Sequence, residues 1–252
     1  ISIGCISIRQ ILYHIRRKQK KVKKNPRSAK NRGWTSSLSS FESRLAWHCH
    51  FIQRLECEPT MDAIALNPEL DERLERVLDQ EKYGAWAQGK TGWPFFDACM
   101  RSLIATGWIN FRMRAMLQSV ASYTLWLPWR ATGMHLAKMF LDYEPGIHWS
   151  QVHMQSGVTG INSIRAYSID KQSMDQDPTG EFIHAWVKEL REVPAEFIHR
   201  PWLMTDEQQE LFSCRIGKDY PHPIVDEKEA RKEGISASYS AKGHPSVRTR
   251  AV

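Results

Sequence analysis

WAQGKTGWPFFDACMRSLIATGWINFRMRAM, residues 86–116, decides the fold class. Thr91-Gly92-Trp93 leads into Pro94, a residue suited to a first helical turn, where the missing N–H would have had no partner. Phe95, Phe96, Cys99, Met100, Leu103 and Ile104 then recur at three-to-four spacing and predict a helix with one apolar face, stopped by Gly107. Outward from this stretch the same period returns. Residues 41–56 place Phe41, Leu45, Cys49 and Ile52 on one stripe, with Ser39 and Ser40 available as N-caps. Helices are also predicted over 68–82, over about 110–127 up to Pro128, over about 130–143 up to Pro145-Gly146, and over 179–190 with Thr179 as cap. Residues 145–177, rich in Gly, Ser, Gln and His, show no period and are expected to be an ordered loop or a site. No alternating strand pattern and no internal repeat occurs, so the fold class is all-α.

Composition sets the outer limits. The 252 residues are 42% hydrophobic and 25% charged, which argues against global disorder. No stretch approaches the roughly 18 apolar residues that span a bilayer, and no membrane partner is expected. In the opening residues the charges follow the apolar part, the reverse of a secretory signal. The first residue is Ile1, so a fragment or a processed product is expected. Five scattered cysteines without a CxxC pair suit a reduced, intracellular (cytoplasmic) protein.

The net charge of +7 has one source. Residues 16–32 hold ten Lys and Arg and no acid, and the rest of the chain is slightly acidic. Such a block reads either as a solvated loop or as a contact for a polyanion, where density of positive charge is enough. From about 227 the chain is charged, then rich in Ser, Gly and Ala, and is expected to be a flexible tail. GxSxG, HExxH, Walker and GxGxxG patterns are absent. Trp47-His48-Cys49-His50 has metal-like letters, but on a helix His48 and His50 point to different sides, so no metal is expected.

The middle of the chain resembles the flavin-binding helical domain of the photolyase/cryptochrome family. The resemblance rests on many motifs in one order: Gly89, Thr91, Gly92 and Pro94; Asp97, Ala98, Met100 and Arg101; Gly107-Trp108; Arg112 and Arg114; Trp129-Arg130; Asp142 and Glu144; Gln172; Asp177, Pro178 and Gly180; Trp186, Glu189 and Leu190. ISIGCISIRQ, FESRLAWHCHFIQ and the run from Tyr220-Pro221 to Asp226 are similar to further family segments, so the likeness covers about residues 1–226.

The resemblance implies a helical bundle around FAD. It implies that Asp142 and Glu144, with Tyr143 between them, meet the cofactor, that Arg114 pairs with Asp142 beside the ring, and that Trp108, Phe41 and Arg44 line it. A guanidinium there would stabilise a reduced, anionic flavin without losing its own proton. His148 falls at the position facing the flavin's reactive edge, where it reads as a proton donor or acceptor or as a loop histidine. Trp129 matches the middle member of the family's tryptophan relay, and Trp86 is a candidate for another route. Trp47, His48, Arg112 and Met154 fall on positions that would touch a pyrimidine dimer in DNA.

Departures accompany the match. The chain carries neither the family's N-terminal antenna domain nor its phosphate-binding Thr-Ser-x-Leu-Ser loop and upstream Tyr. Val152 stands where the flavin-proximal relay Trp is expected, Arg44 where a lesion-contacting Glu is usual, Phe111 where an Asn, Ala115 where a Met, and Met154 where a stacking Trp. Three functions follow: light-driven repair of pyrimidine dimers by reduced FAD, a blue-light photoreceptor without repair, or a helical module without cofactor.

Overall fold

The computed structural model describes residues 1, 3–26, 28 and 31–250, with side chains described up to residue 247. Among these residues there is no strand, only an isolated bridge between Ile216 and Tyr220. The thirteen α-helices are α1 (Ile8–Lys24), α2 (Trp34–Cys57), α3 (Pro68–Leu74), α4 (Gln80–Gln88), α5 (Pro94–Thr106), α6 (Phe111–Ser119), α7 (Trp129–Met139), α8 (Pro145–Ser156), α9 (Ile169–Gln176), α10 (Glu181–Trp186), α11 (Asp206–Leu211), α12 (Glu227–Gly243) and α13 (Pro245–Arg250).

The opening stretch forms its helix as read, with Pro94 in the first turn and Gly107 as a left-handed cap. It is the hub of the main core: Phe96, Ala98, Cys99, Met100 and Leu103 are inaccessible and pack with Trp86, Met116, Leu117, Ile183 and Leu190. Fully burying a side chain of this size contributes about 1.5–3 kcal/mol. Asp97 ties the turn before the helix to the far end of the chain. Its carboxylate accepts from Thr91 N at 2.9 Å, Thr91 Oγ1 at 2.6 Å, Gly92 N at 3.1 Å and Tyr220 Oη at 2.6 Å.

Five readings change. The basic segment is not a loop up to Lys24: residues 8–24 are one helix with a Ser7–Gln10 capping box, and its Ile15 and Val22 pack on Leu38 and Leu45 of α2. Of that segment, Arg27, Ala29 and Lys30 lie outside the described residues. The predicted helix 68–82 breaks after Leu74, where Glu75 is left-handed, and restarts at Gln80. The expected loop 145–177 contains α8 and α9. Its Gly146 lets α8 lie against α2, because a Cβ there would stand 2.5 Å from the Phe51 carbonyl oxygen. Residues 227–243 are helix rather than flexible tail, seated through Gly234, whose Cβ position the Tyr123 carbonyl occupies. That carbonyl belongs to Val120–Thr124, a π-helical turn extending α6. Residues 251–252 of the expected tail lie outside the described residues. Finally, α10 is capped not by Thr179 but by Asp177, whose carboxylate accepts from Phe182 N and Ile183 N.

Candidate functional site

A cavity of about 320 Å³ opens between α6, α7, α8 and the loop that joins the last two. Asn110 caps α6 by accepting from Met113 N at 3.1 Å, which fixes Arg114 one turn into the helix. Arg114 then donates from Nε to Ile109 O at 2.7 Å and from Nη2 to Asp142 Oδ2 at 2.9 Å. Its guanidinium also lies 4.3 Å from the Phe140 ring centre. Pro145 starts α8, so Asp142, Tyr143 and Glu144 form the loop leading into its N-terminus, the partially positive end of the helix. The Arg114–Asp142 side chains are 23% and 41% exposed, so the pair adds at most about 1 kcal/mol to stability. Its geometry matters more than its strength.

The cavity wall is apolar where Ile109, Leu136, Phe140 and Val152 meet, and it ends in an aromatic rim. Trp108 and Phe111 on that rim are more than half exposed. Three of the cavity's lining residues carry a buried acceptor without a partner. Asp142 Oδ1, Gln118 Oε1 and Gln155 Oε1 are buried without a partner, and all three residues line the cavity. Each orphaned buried group costs about 1–3 kcal/mol. The Gln118 amide donates from Nε2 to the Ser122, Thr132 and Ser156 hydroxyls at 2.9–3.1 Å.

His148 lines the same cavity, but not as a neutral-pH proton carrier. Burial pushes its pKa down to about 4, opposed by the bond to Gly133 and helped by the nearby Arg114 charge. The ring is thus neutral, and its Nε2–H donates to Gly133 O at 2.8 Å.

The structure brings Trp108, Arg114, Asp142, Tyr143, Glu144 and His148 to one cavity. Phe41 and Arg44 are not among its lining residues; both are exposed on α2, Arg44 lying 6.0 Å from the Trp47 ring. Trp47 is also exposed on α2, in ring contact with His50 and Phe51. Both ring nitrogens of His48 are buried without a partner. Arg112 is exposed on α6, and Met154 is half-buried on α8 with its Sδ 3.9 Å from Gln151 Nε2. Among the described residues no hydrogen bond or ring contact joins Trp47, Arg112 and Met154.

Trp86 and Trp129 are both inaccessible, and neither lines the cavity. Trp86 donates to Leu117 O at 3.0 Å and its ring meets Tyr83 and His135. Trp129 donates to Asp71 Oδ1 at 2.9 Å. It reaches the cavity wall through Trp149, whose ring centre is 6.0 Å away and whose Nε1 donates to Tyr143 Oη at 3.1 Å. Gln118, Gln155 and Phe140 line the cavity without a signal in the sequence: Gln118 sits in a helix of core letters and Gln155 in a stretch without period.

Fold and cavity together define a helical protein with an apolar-walled, aromatic-rimmed pocket beside a fixed arginine. The profile of the FAD binding domain of DNA photolyase matches residues 41–240, and the chain belongs to that family. It is 30% identical over 241 residues to a deoxyribodipyrimidine photo-lyase of Alkalihalophilus pseudofirmus, covering 94% of this chain and 47% of that protein. It is 34% identical over 149 residues to a cryptochrome DASH of Gloeobacter violaceus, covering 59% of this chain and 30% of that one. The fold superposes on a Synechocystis cryptochrome crystal structure with a TM-score of 0.81 at 25% identity, over 94% of this chain and 47% of the other. The chain thus spans about half the length of the photo-lyase and the crystallised cryptochrome. Photolyases and cryptochromes are both among its relatives. No helix among the described residues is long and apolar enough to cross a membrane.

Proposed function

We propose that this chain holds FAD in the cavity beside Arg114 and acts as a photolyase-like lyase on pyrimidine dimers in DNA. The observation that carries this reading is the Arg114–Asp142 pair set in an apolar-walled cavity, three of whose lining residues, Asp142, Gln118 and Gln155, each carry a buried acceptor without a partner. They suit the N–H groups of a flavin or an adenine ring. The cavity volume is at the lower end of the roughly 300–1,000 Å³ usual for small-molecule pockets, enough for a ring system rather than a whole dinucleotide. When bound, FAD supplies light-driven electron transfer to the dimer. The chain's own part is binding and electrostatics. Arg114 keeps a fixed positive charge at the ring, oriented by Ile109 O and Asp142. His148 stays neutral and adds no competing charge. Leu136, Phe140 and Val152 keep water from one face. Trp47, His48, Arg112 and Met154 remain the residues proposed to meet the DNA.

The same cavity also serves the second reading, a blue-light photoreceptor without repair, which the altered lesion-side residues Phe111, Ala115 and Met154 favour. A single assay separates the two. An oligonucleotide carrying one cyclobutane dimer is incubated with the FAD-loaded protein in darkness and under blue light. Light-dependent loss of the dimer is expected. An intact dimer under light, with the cofactor demonstrably bound, would leave only the receptor.

A further inference from the structure

The outer face of α1 is the largest concentration of positive charge on the described surface, and the cavity makes no use of it. Eight of its residues are Lys or Arg and none is acidic. Arg9, Arg16, Arg17, Lys20, Lys21, Lys23 and Lys24 are all exposed. Among the described residues only Arg16 has an acidic partner, Glu42 at 3.6 Å, and Lys18 lies over the Trp34 ring at 4.3 Å. The remaining cations therefore have no internal task. They are also ordered: helical spacing puts Arg9, Tyr13, Arg16, Arg17 and Lys20 along one side, where they line a groove with Leu12. Tyr13, 62% exposed, stands in the middle of these charges. The helix lies before the residues that the family profile matches.

We infer that this face of α1 docks the phosphate backbone of DNA, independently of damage and of cofactor. Charge complementarity selects a polyanion, and a row of cations along one helix suits phosphates spaced along a strand. The apolar side of α1 is committed: Ile15 and Val22 are buried against Leu38 and Leu45 of α2. It is therefore not free to enter a lipid surface as an amphipathic membrane helix does. A backbone contact of this kind holds the protein on DNA without reading sequence, and Tyr13 can rest on sugar or an unpaired base.

The inference stands apart from the flavin reading, because the test needs neither light nor FAD. Anisotropy of a labelled undamaged duplex is followed in the dark as salt is raised, for the wild type and for the triple variant Arg9→Gln/Arg17→Gln/Lys20→Gln. All three side chains are exposed, and circular dichroism confirms equal helix content. If each contacts one phosphate, the slope of log affinity against log salt falls by about 3, at roughly 0.9 per phosphate. Between about 50 and about 200 mM salt the wild type then loses about 40-fold more affinity than the variant. Tyr13→Ala should weaken binding while leaving the slope unchanged. Equal slopes for wild type and triple variant would overturn the inference. So would binding to anionic phosphatidylserine vesicles with none to the duplex.

Discussion

Asp97 and Asp142 are two carboxylates with opposite bookkeeping. Asp97 is fully buried and accepts from Thr91, Gly92 and Tyr220 through four hydrogen bonds. Burial raises its pKa to about 6, against those bonds, which favour the ionised form. Asp142 is partly exposed, uses one oxygen for Arg114, and leaves the other buried and idle. The first closes the fold around α5. The second leaves a valence open to a ligand. Around Asp97 every donor is used up, whereas around Asp142 the unpaired acceptors of Gln118 and Gln155 gather on one wall. A region finished by its own side chains reads as scaffold, and one unfinished in a consistent chemical sense reads as a binding site.

The comparison breaks most visibly at its scaffold end. Asp97→Ala strands four buried donors and should cost about 4 kcal/mol or more, read from the urea midpoint. A loss below about 1 kcal/mol would mean that the 91–97 turn does not hold Tyr220 in place. Acid should act next. His148 and His153 are both buried, and burial lowers both pKa values to about 4. Below the unfolded value of about 6.5 the unfolded chain takes up protons that the folded chain refuses, so stability is intact above that pH and falls as pH drops toward about 4. Each histidine accounts for up to about 3 kcal/mol. Asp97 acts the other way, because its raised folded pKa of about 6 adds stability as pH falls below it. His153→Phe should therefore remove most of the remaining slope in a pH series of thermal melts, if the ring fits.

At the binding end the effects move from stability to affinity. Arg114→Ala should weaken FAD binding about a hundred-fold, roughly 3 kcal/mol, in an equilibrium titration. Asp142→Ala should change stability by less than about 1 kcal/mol, since the ion pair is half in water, while lowering FAD affinity about ten-fold. If Asp142→Ala instead unfolds the chain, the contrast with Asp97 is lost.

The two regions were not equally legible. Around Asp97 the chain announces itself locally: Pro94 opens a helix, Gly107 closes it, and the apolar face between them repeats on a single period. Near the site, α8 gives no apolar stripe in the sequence, because its buried side chains include the polar letters His148, Ser150, His153 and Ser156. Its place is fixed by Gly146 against the Phe51 backbone, a contact distant in sequence. The basic run has the charge density of a solvated loop, yet Ile8, Ile11, Ile15 and Val22 make it amphipathic and Lys and Arg have good helix propensity. Helix α12 went unread because Gly234 and Ser238 pack by being small. Six of the eight residues assigned to the cofactor by resemblance do line the cavity. Phe41 and Arg44 do not; both side chains are exposed on α2.

The most direct measurement is the visible difference spectrum of FAD titrated onto this chain and onto Arg114→Ala, with free cofactor removed. The account predicts structured, shifted flavin bands that stay with the wild-type chain and are lost from the variant at equal concentration. Bands that are featureless, or identical for both proteins, would contradict the claim that the Arg114–Asp142 cavity is a flavin site.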